Sequence, residues 1–218
     1  MSVDTLDFAE PFFTVKWLLN EWEYRVSAKS IPVNVAARPI KVEGQELGFF
    51  QSAVVANTTL RNVDRAVLVE RFADHPDEET LLAEVRKTWP LAYDIRKEER
   101  LKGVSHYLSP KVDLGDINLS MYHAGSVPLN VGLHKDHVHC GDATVREVHT
   151  QIVGYGKMQQ CRDKDLETLY LEEPMAPGAT HKPMFDEQGN YPWHQYETIT
   201  PGIFMAIEWV ENNTLAAE

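Results

Sequence analysis

Two stretches decide how this chain is read: Gly132-Leu133-His134-Lys135-Asp136-His137-Val138-His139, and Glu147-Val148-His149-Thr150-Gln151-Ile152 a short way further on. In an extended strand, residues i and i+2 share a face. His137 and His139 then project to one side, and His134, three residues before His137, to the other. Two imidazoles on one face can approach a single cation at about 2.0–2.1 Å each. In the second stretch Glu147, His149 and Gln151 alternate with Val148, Thr150 and Ile152. One face is ionisable or amide and the other largely apolar. If only the apolar face were buried, the polar face would be solvated. If both faces are covered, three groups that are costly to bury line one cavity, and they need partners or a metal. Gly154 and Gly156 then allow a tight turn or a bulge.

Outward from these stretches the texture is that of short strands. The expected strands are 117–123, 132–139, 145–153, 157–161, 167–171 and 202–209, separated by Gly, Pro, Asn and Asp. Seven of the nine histidines lie from His123 to His194, so the chemistry is expected in the second half. The first half reads as mixed. Residues 12–26, with Trp17, Leu18, Leu19 and Trp22, have spacings that suit a buried helical stripe. Residues 47–55 and 66–72 have strand composition. Residues 74–87 read as a helix: Pro76 is at an early helical position, Asp77, Glu78 and Glu79 favour its N-terminal end, and Leu81, Leu82 and Val85 form an apolar stripe. Pro90 should end it. The expected architecture is mainly β, a barrel over residues 103–218 with a mixed helix/strand N-terminal extension over residues 1–102 packed on it.

Composition narrows the function classes. Of 218 residues 43% are hydrophobic and 25% charged, the profile of an ordinary globular protein. With 21 basic and 33 acidic residues the formal charge is −12. Such a surface repels phosphate backbones and anionic lipid, so nucleic-acid and membrane partners are not expected. Cys140 and Cys161 form no CxxC pair, and the acidic start Met1-Ser2-Val3-Asp4 lacks signal-peptide order. A cytoplasmic location is expected.

The histidine-rich stretches resemble the first motif of the cupin superfamily, a double-stranded β-helix jelly roll. That motif has a glycine, a His-x-His, then a glutamate followed after six residues by a glycine. Gly132, His137, His139, Glu147 and Gly154 occupy those places. Seven residues separate His139 from Glu147, a longer interval than the family's usual one. A hairpin through Gly141-Asp142 would absorb the excess; otherwise Glu147 is not a ligand and the site is a three-histidine one. The second motif, a Pro-Gly turn and then a histidine, is matched locally by Pro177-Gly178-x-x-His181 and by position by His194, which precedes the last strand. His194 is favoured, with His181 as the alternative, because residues 180–189 read as a loop inserted into that turn.

The resemblance implies a metal held by His137, His139, Glu147 and His194. His149 and Gln151 are then the catalytic candidates: His149 as general acid or base, Gln151 orienting a ligand or holding a substrate hydroxyl. Imidazole and carboxylate suit one divalent transition metal; Fe(II) is the first expectation, and Mn(II), Ni(II) or Zn(II) are allowed. No other cofactor is expected. The implied function is a metal-dependent Fe(II) oxygenase or dioxygenase acting on a small polar or phenolic molecule. The alternatives are a non-redox isomerase, epimerase or lyase acting on a hydroxylated or sugar-like substrate, and a non-catalytic small-molecule-binding protein. A homodimer is allowed, since related barrels often pair.

Overall fold

The computed structural model describes residues 1–75, 77–125, 131–135, 144–184 and 190–211. The mainly β class expected from the sequence is the class adopted, in three antiparallel sheets. These sheets stack on one another and are not closed into a barrel. The first sheet holds β1 (Ser2–Leu6), β2 (Thr14–Val26), β6 (Thr58–Glu70), β4 (Ile40–Val42) and β5 (Gln45–Leu47) in that order, with β3 (Ser30–Asn34) also paired to β6. The second runs β10 (Thr144–Val153), β14 (Gly202–Glu211), β9 (Ile117–Ala124), β7 (His106–Leu108), with β8 (Val112–Asp113) on β9. The third is β12 (Leu169–Met175), β11 (Gly156–Cys161), β13 (Trp193–Thr198).

The second sheet is the middle layer. On one face Leu119, Met121, Val148, Ile203 and Met205 join Val15, Trp17, Val33 and Val67 of the first sheet in one hydrophobic cluster. On its other face Tyr122, Phe204 and Ala206 pack with Met158, Met175 and Tyr196 of the third sheet. Successive residues of β14 therefore enter different clusters, as a strand with both faces buried must. Each fully buried aliphatic side chain here contributes about 1.5–3 kcal/mol.

The helix expected over residues 12–26 is not formed. That segment is the long strand β2, paired with β6 from Thr14 opposite Glu70 to Val26 opposite Thr58. Its two faces serve two cores: Val15 and Trp17 enter one cluster, Leu18 and Val26 another. Over residues 15–18 both faces are covered, and that short apolar run, with Trp22 beyond it, reads like a helical stripe. Trp22, placed in that stripe, is 70% exposed. Residues 47–55 are largely turn and irregular structure.

The helix expected near residue 80 is present as α1 (Glu78–Thr88). Asp77 caps it, its side chain accepting from the Thr80 amide at 2.7 Å. Leu81, Leu82 and Val85 are buried in the main core. The helix stops before Pro90, and a short α2 (Ala92–Arg96) follows, closed by Lys97 in the left-handed region. A 3-10 turn, Glu99–Leu101, leads into β7. No described helix is long and apolar enough to cross a membrane.

Leu119 is fully buried between the first and second sheets. Leu119→Ala is expected to lose about 2–5 kcal/mol of stability, as core truncations do. Trp22→Ser should change it by less than about 0.5 kcal/mol, as exposed substitutions do. Urea unfolding of both variants checks the strand assignment against a buried helix, for which Trp22→Ser would be the costly change.

Candidate metal centre

The polar face of β10 is turned inward. Glu147 is 4% exposed, and His149 and Gln151 are likewise buried. The reason is the stacking: Val148 and Ile152 fill the core toward the first sheet, so the alternate residues point toward the third sheet. Both faces of the strand are covered, and the polar groups line an internal site.

Two histidines reach the same place from the chain's other segments. His134 and His194 form an antiparallel bridge: the His134 amide donates to the His194 carbonyl at 3.0 Å, and the His194 amide to the His134 carbonyl at 2.9 Å. Residues that exchange both bonds stand directly opposite and share a face, and the two rings lie 4.2 Å apart. One ligand atom each from His134, Glu147 and His194 lie within 4.8 Å of one another. Nδ1 of His134 is 3.2 Å from the Gly132 carbonyl, and Nδ1 of His194 is 3.1 Å from that of Pro192. A carbonyl only accepts, so Nδ1 carries the proton in both rings and Nε2 carries the lone pair. That is the arrangement in which metal-binding imidazoles are held by a neighbouring acceptor. With a buried carboxylate beside them, the donor set fits a divalent transition metal.

The expected site residues fall as follows. Glu147 and His194 are in the cluster. His137 and His139 lie outside the described residues. His181 is buried elsewhere along β10, and both its ring nitrogens are engaged. Nε2 accepts from the His149 amide at 2.9 Å, and Nδ1 donates to the Lys182 carbonyl at 2.7 Å. It completes the strand's backbone bonding, beside the Gly178 and Gln151 amides that bond across the same edge. His149 places Nε2 3.4 Å from Glu147 Oε1 and stands edge-on to Phe204. Gln151 accepts from the Tyr196 hydroxyl and donates to the Val153 carbonyl at 2.7 Å, so its amide is used in packing the sheets together.

His134 is the histidine that strand alternation sets on the opposite face from His137. The structure brings it into the cluster, because residues 131–135 contribute one isolated bridge and not a strand, so the two-residue period does not carry through them. His123, at the end of β9, faces α1 and not Glu147; its Nδ1 is 2.9 Å from the Gly202 carbonyl. The site also takes residues from the first half, none foreshadowed by a motif. Arg96, Arg100 and His106, with Tyr122 of β9, line an inner cavity of about 40 Å3 with His134, Glu147 and His149. Arg100 and His134 also border an outer groove of about 810 Å3, walled by Trp193 and Gln195.

Burial sets the electrostatics. It holds the pKa of His106 and of His181 down to about 3, and that of His123 to about 4. It likewise pushes the Tyr122 and Tyr196 hydroxyls well above the usual phenol value. Burial opposes the charge on Arg96, but Tyr122, Glu147, Glu208 and Glu98 around it keep its pKa above the ordinary guanidinium value.

No protein-family model and no curated protein matches the sequence. Solved structures with a similar fold include AerE from Microcystis aeruginosa, at 9% identity over 96% of this chain and 97% of that one, TM-score 0.38. Another is oxalate oxidase in complex with glycolate, at 9% identity and TM-score 0.36; the match covers 53% of this chain and 56% of that one, about half of each. A variant of salicylate 1,2-dioxygenase from Pseudoaminobacter salicylatoxidans, in complex with gentisate, matches at 9% identity over 94% of this chain and 73% of that one, TM-score 0.28. Likeness at this level does not extend to activity.

Two outcomes follow from the geometry. His181→Ala leaves the buried His149 amide without its acceptor and should cost about 1–3 kcal/mol of stability while sparing metal uptake; His194→Ala should do the reverse. Denaturant midpoints and metal content of the two variants separate the roles. Secondly, as pH falls below the unfolded-state value of 6.5, the unfolded chain binds protons that the buried neutral His106, His123 and His181 refuse. Stability is then full above about pH 6.5 and falls toward pH 4, by up to about 1.4 kcal/mol per pH unit for each histidine. His123→Gln should make the fall shallower, measured as urea midpoint against pH.

Proposed function

We propose that the chain is a metal-dependent enzyme, with His134, Glu147 and His194 among the ligands of one divalent ion. The observation that supports this is the convergence of the three donor atoms within 4.8 Å, from the 131–135 segment, β10 and β13. Two imidazoles and one carboxylate, as found among the described residues, are donors that suit non-haem Fe(II). The reading is therefore an Fe(II) oxygenase acting on a small polar or phenolic molecule. When bound, the metal would supply Lewis acidity and, as iron, the capacity to activate oxygen.

The chain's own residues do the rest. His149 stands where its Nε2–H can orient the Glu147 carboxylate. Tyr122, Tyr196 and Phe204 close the inner side and exclude water. The outer groove gives a substrate its approach to His134 and is wide enough for a small aromatic or hydroxylated molecule.

The test is elemental analysis of protein purified without affinity-tag metals, followed by oxygen-electrode assays. Iron is expected, with O2 uptake that depends on an added small polar or phenolic substrate. Glu147→Gln and His194→Ala should each weaken metal retention by at least about tenfold without loss of fold. Manganese or zinc with no O2 uptake would replace the oxygenase reading with an isomerase, epimerase or lyase. Full metal retention in both variants would overturn the centre itself.

A further inference from the structure

A row of three polar side chains crosses the third sheet and ends at the outer groove. Gln159 on β11 stands directly opposite Glu172 on β12 and Gln195 on β13. The Gln195 Nε2–H donates to Gln159 Oε1 at 2.6 Å, and the Gln159 Nε2–H donates to Glu172 Oε2 at 2.7 Å. Gln159 is 5% exposed and Gln195 1%, so an amide bond left unmade there is costly.

The row has a fixed direction. The hydrogen bonds from Gln159 and Lys157 hold the Glu172 carboxyl below the usual carboxylate range, and an ionised carboxylate only accepts. Gln159 therefore turns its NH2 to Glu172 and its oxygen to Gln195, and Gln195 turns its NH2 to Gln159. Either amide reversed would set oxygen against oxygen. Lys157 stands 3.0 Å from Glu172 and 3.6 Å from Glu197, and anchors the carboxylate end. The Gln195 atom turned away from the row is Oε1, and among the described residues no donor is bonded to it.

Gln195 borders the outer groove with Trp193. Both stand on the face of β13 opposite His194, since neighbours along a strand point to opposite sides. The groove is also bordered by Arg100 and His134, which line the inner cavity beside Glu147. One part of the groove thus adjoins the ligand cluster, and another part, across β13 from His194, has Gln195 in its wall. A hydrogen bond made to so enclosed an amide is little shared with bulk water.

We propose that Gln195 is a specificity-determining residue, its Oε1 accepting a hydrogen bond from a substrate hydroxyl held in the groove apart from the metal. Glu172, acting through Gln159, is the positioning residue that keeps this oxygen turned to the groove. The substrate class is then a hydroxylated molecule, and one with a methyl ether in place of that hydroxyl is disfavoured. This rests on the reading of the groove as the substrate's approach.

The test is titration calorimetry of the full-length protein with phenol and with anisole, which lacks the donor. Phenol is expected to bind at least about fivefold more tightly. Gln195→Leu removes the acceptor and should bring the two probes within about twofold of each other. Glu172→Gln, at a side chain 40% exposed, leaves the sheet intact and lets both amides reverse, so it should relax the preference in the same way. Glu147→Gln, in the ligand cluster, should keep the preference. Equal affinity of the wild-type protein for the two probes overturns the inference, as does the wild-type preference in Gln195→Leu or in Glu172→Gln. Loss of the preference in Glu147→Gln assigns the hydroxyl to the metal centre and overturns it as well. Metal content measured on the same samples reads the metal centre separately, so the failure of one reading is not mistaken for failure of the other.

Discussion

Strand β10 is covered on both faces, and the rest of the site depends on that. A strand with one wet face would hold Glu147, His149 and Gln151 in water, where they need nothing. Here Val148 and Ile152 are committed to the core against the first sheet, so the alternate residues are driven into the layer below the third sheet. A buried carboxylate must then be compensated. Glu147 has His149 at 3.4 Å, the ligand atoms of His134 and His194 close by, and the field of Arg96. The edge of β10 is completed by the 178–181 segment, in which His181 serves the strand backbone.

The first half of the chain takes part in this site. α2 and the turn after it bring Arg96 and Arg100 to the inner cavity, and β7 brings His106. Arg96 sits in a buried ionic chain, since Glu208 on β14 binds Lys111 at 2.5 Å as well as facing Arg96. The main hydrophobic cluster also runs through the first sheet, α1 and the second sheet together. Packing and chemistry are therefore shared across the length of the chain.

Much of this was legible in the residues. The alternation from Glu147 to Ile152 marks β10 and its polar face correctly, and β9, β11, β14 and α1 match their patterns closely. β13 was less visible, because Pro192 and Trp193 beside His194 read as a turn. Residues 12–26 mislead for a physical reason: where both faces of the strand are covered, over residues 15–18, the two-residue period is lost. His134 misleads because the period was carried through a stretch that holds a single bridge. Arg96, Arg100 and His106 carry no local signal, since a lone arginine or histidine in a charged or turn segment looks the same whether it faces water or a cavity.

The sequence by itself determined the mainly β class, the strands of the second half, and which residue types had the chemistry to hold a cation. Those properties are local, set by side-chain period, turn residues and donor chemistry. Only the tertiary structure decided that His134 joins Glu147 and His194, that His181 serves the backbone of β10, and that two arginines, one from a short helix and one from the turn after it, stand beside them. Such outcomes depend on which segments lie next to one another once the sheets stack, and no spacing along the chain encodes that distance.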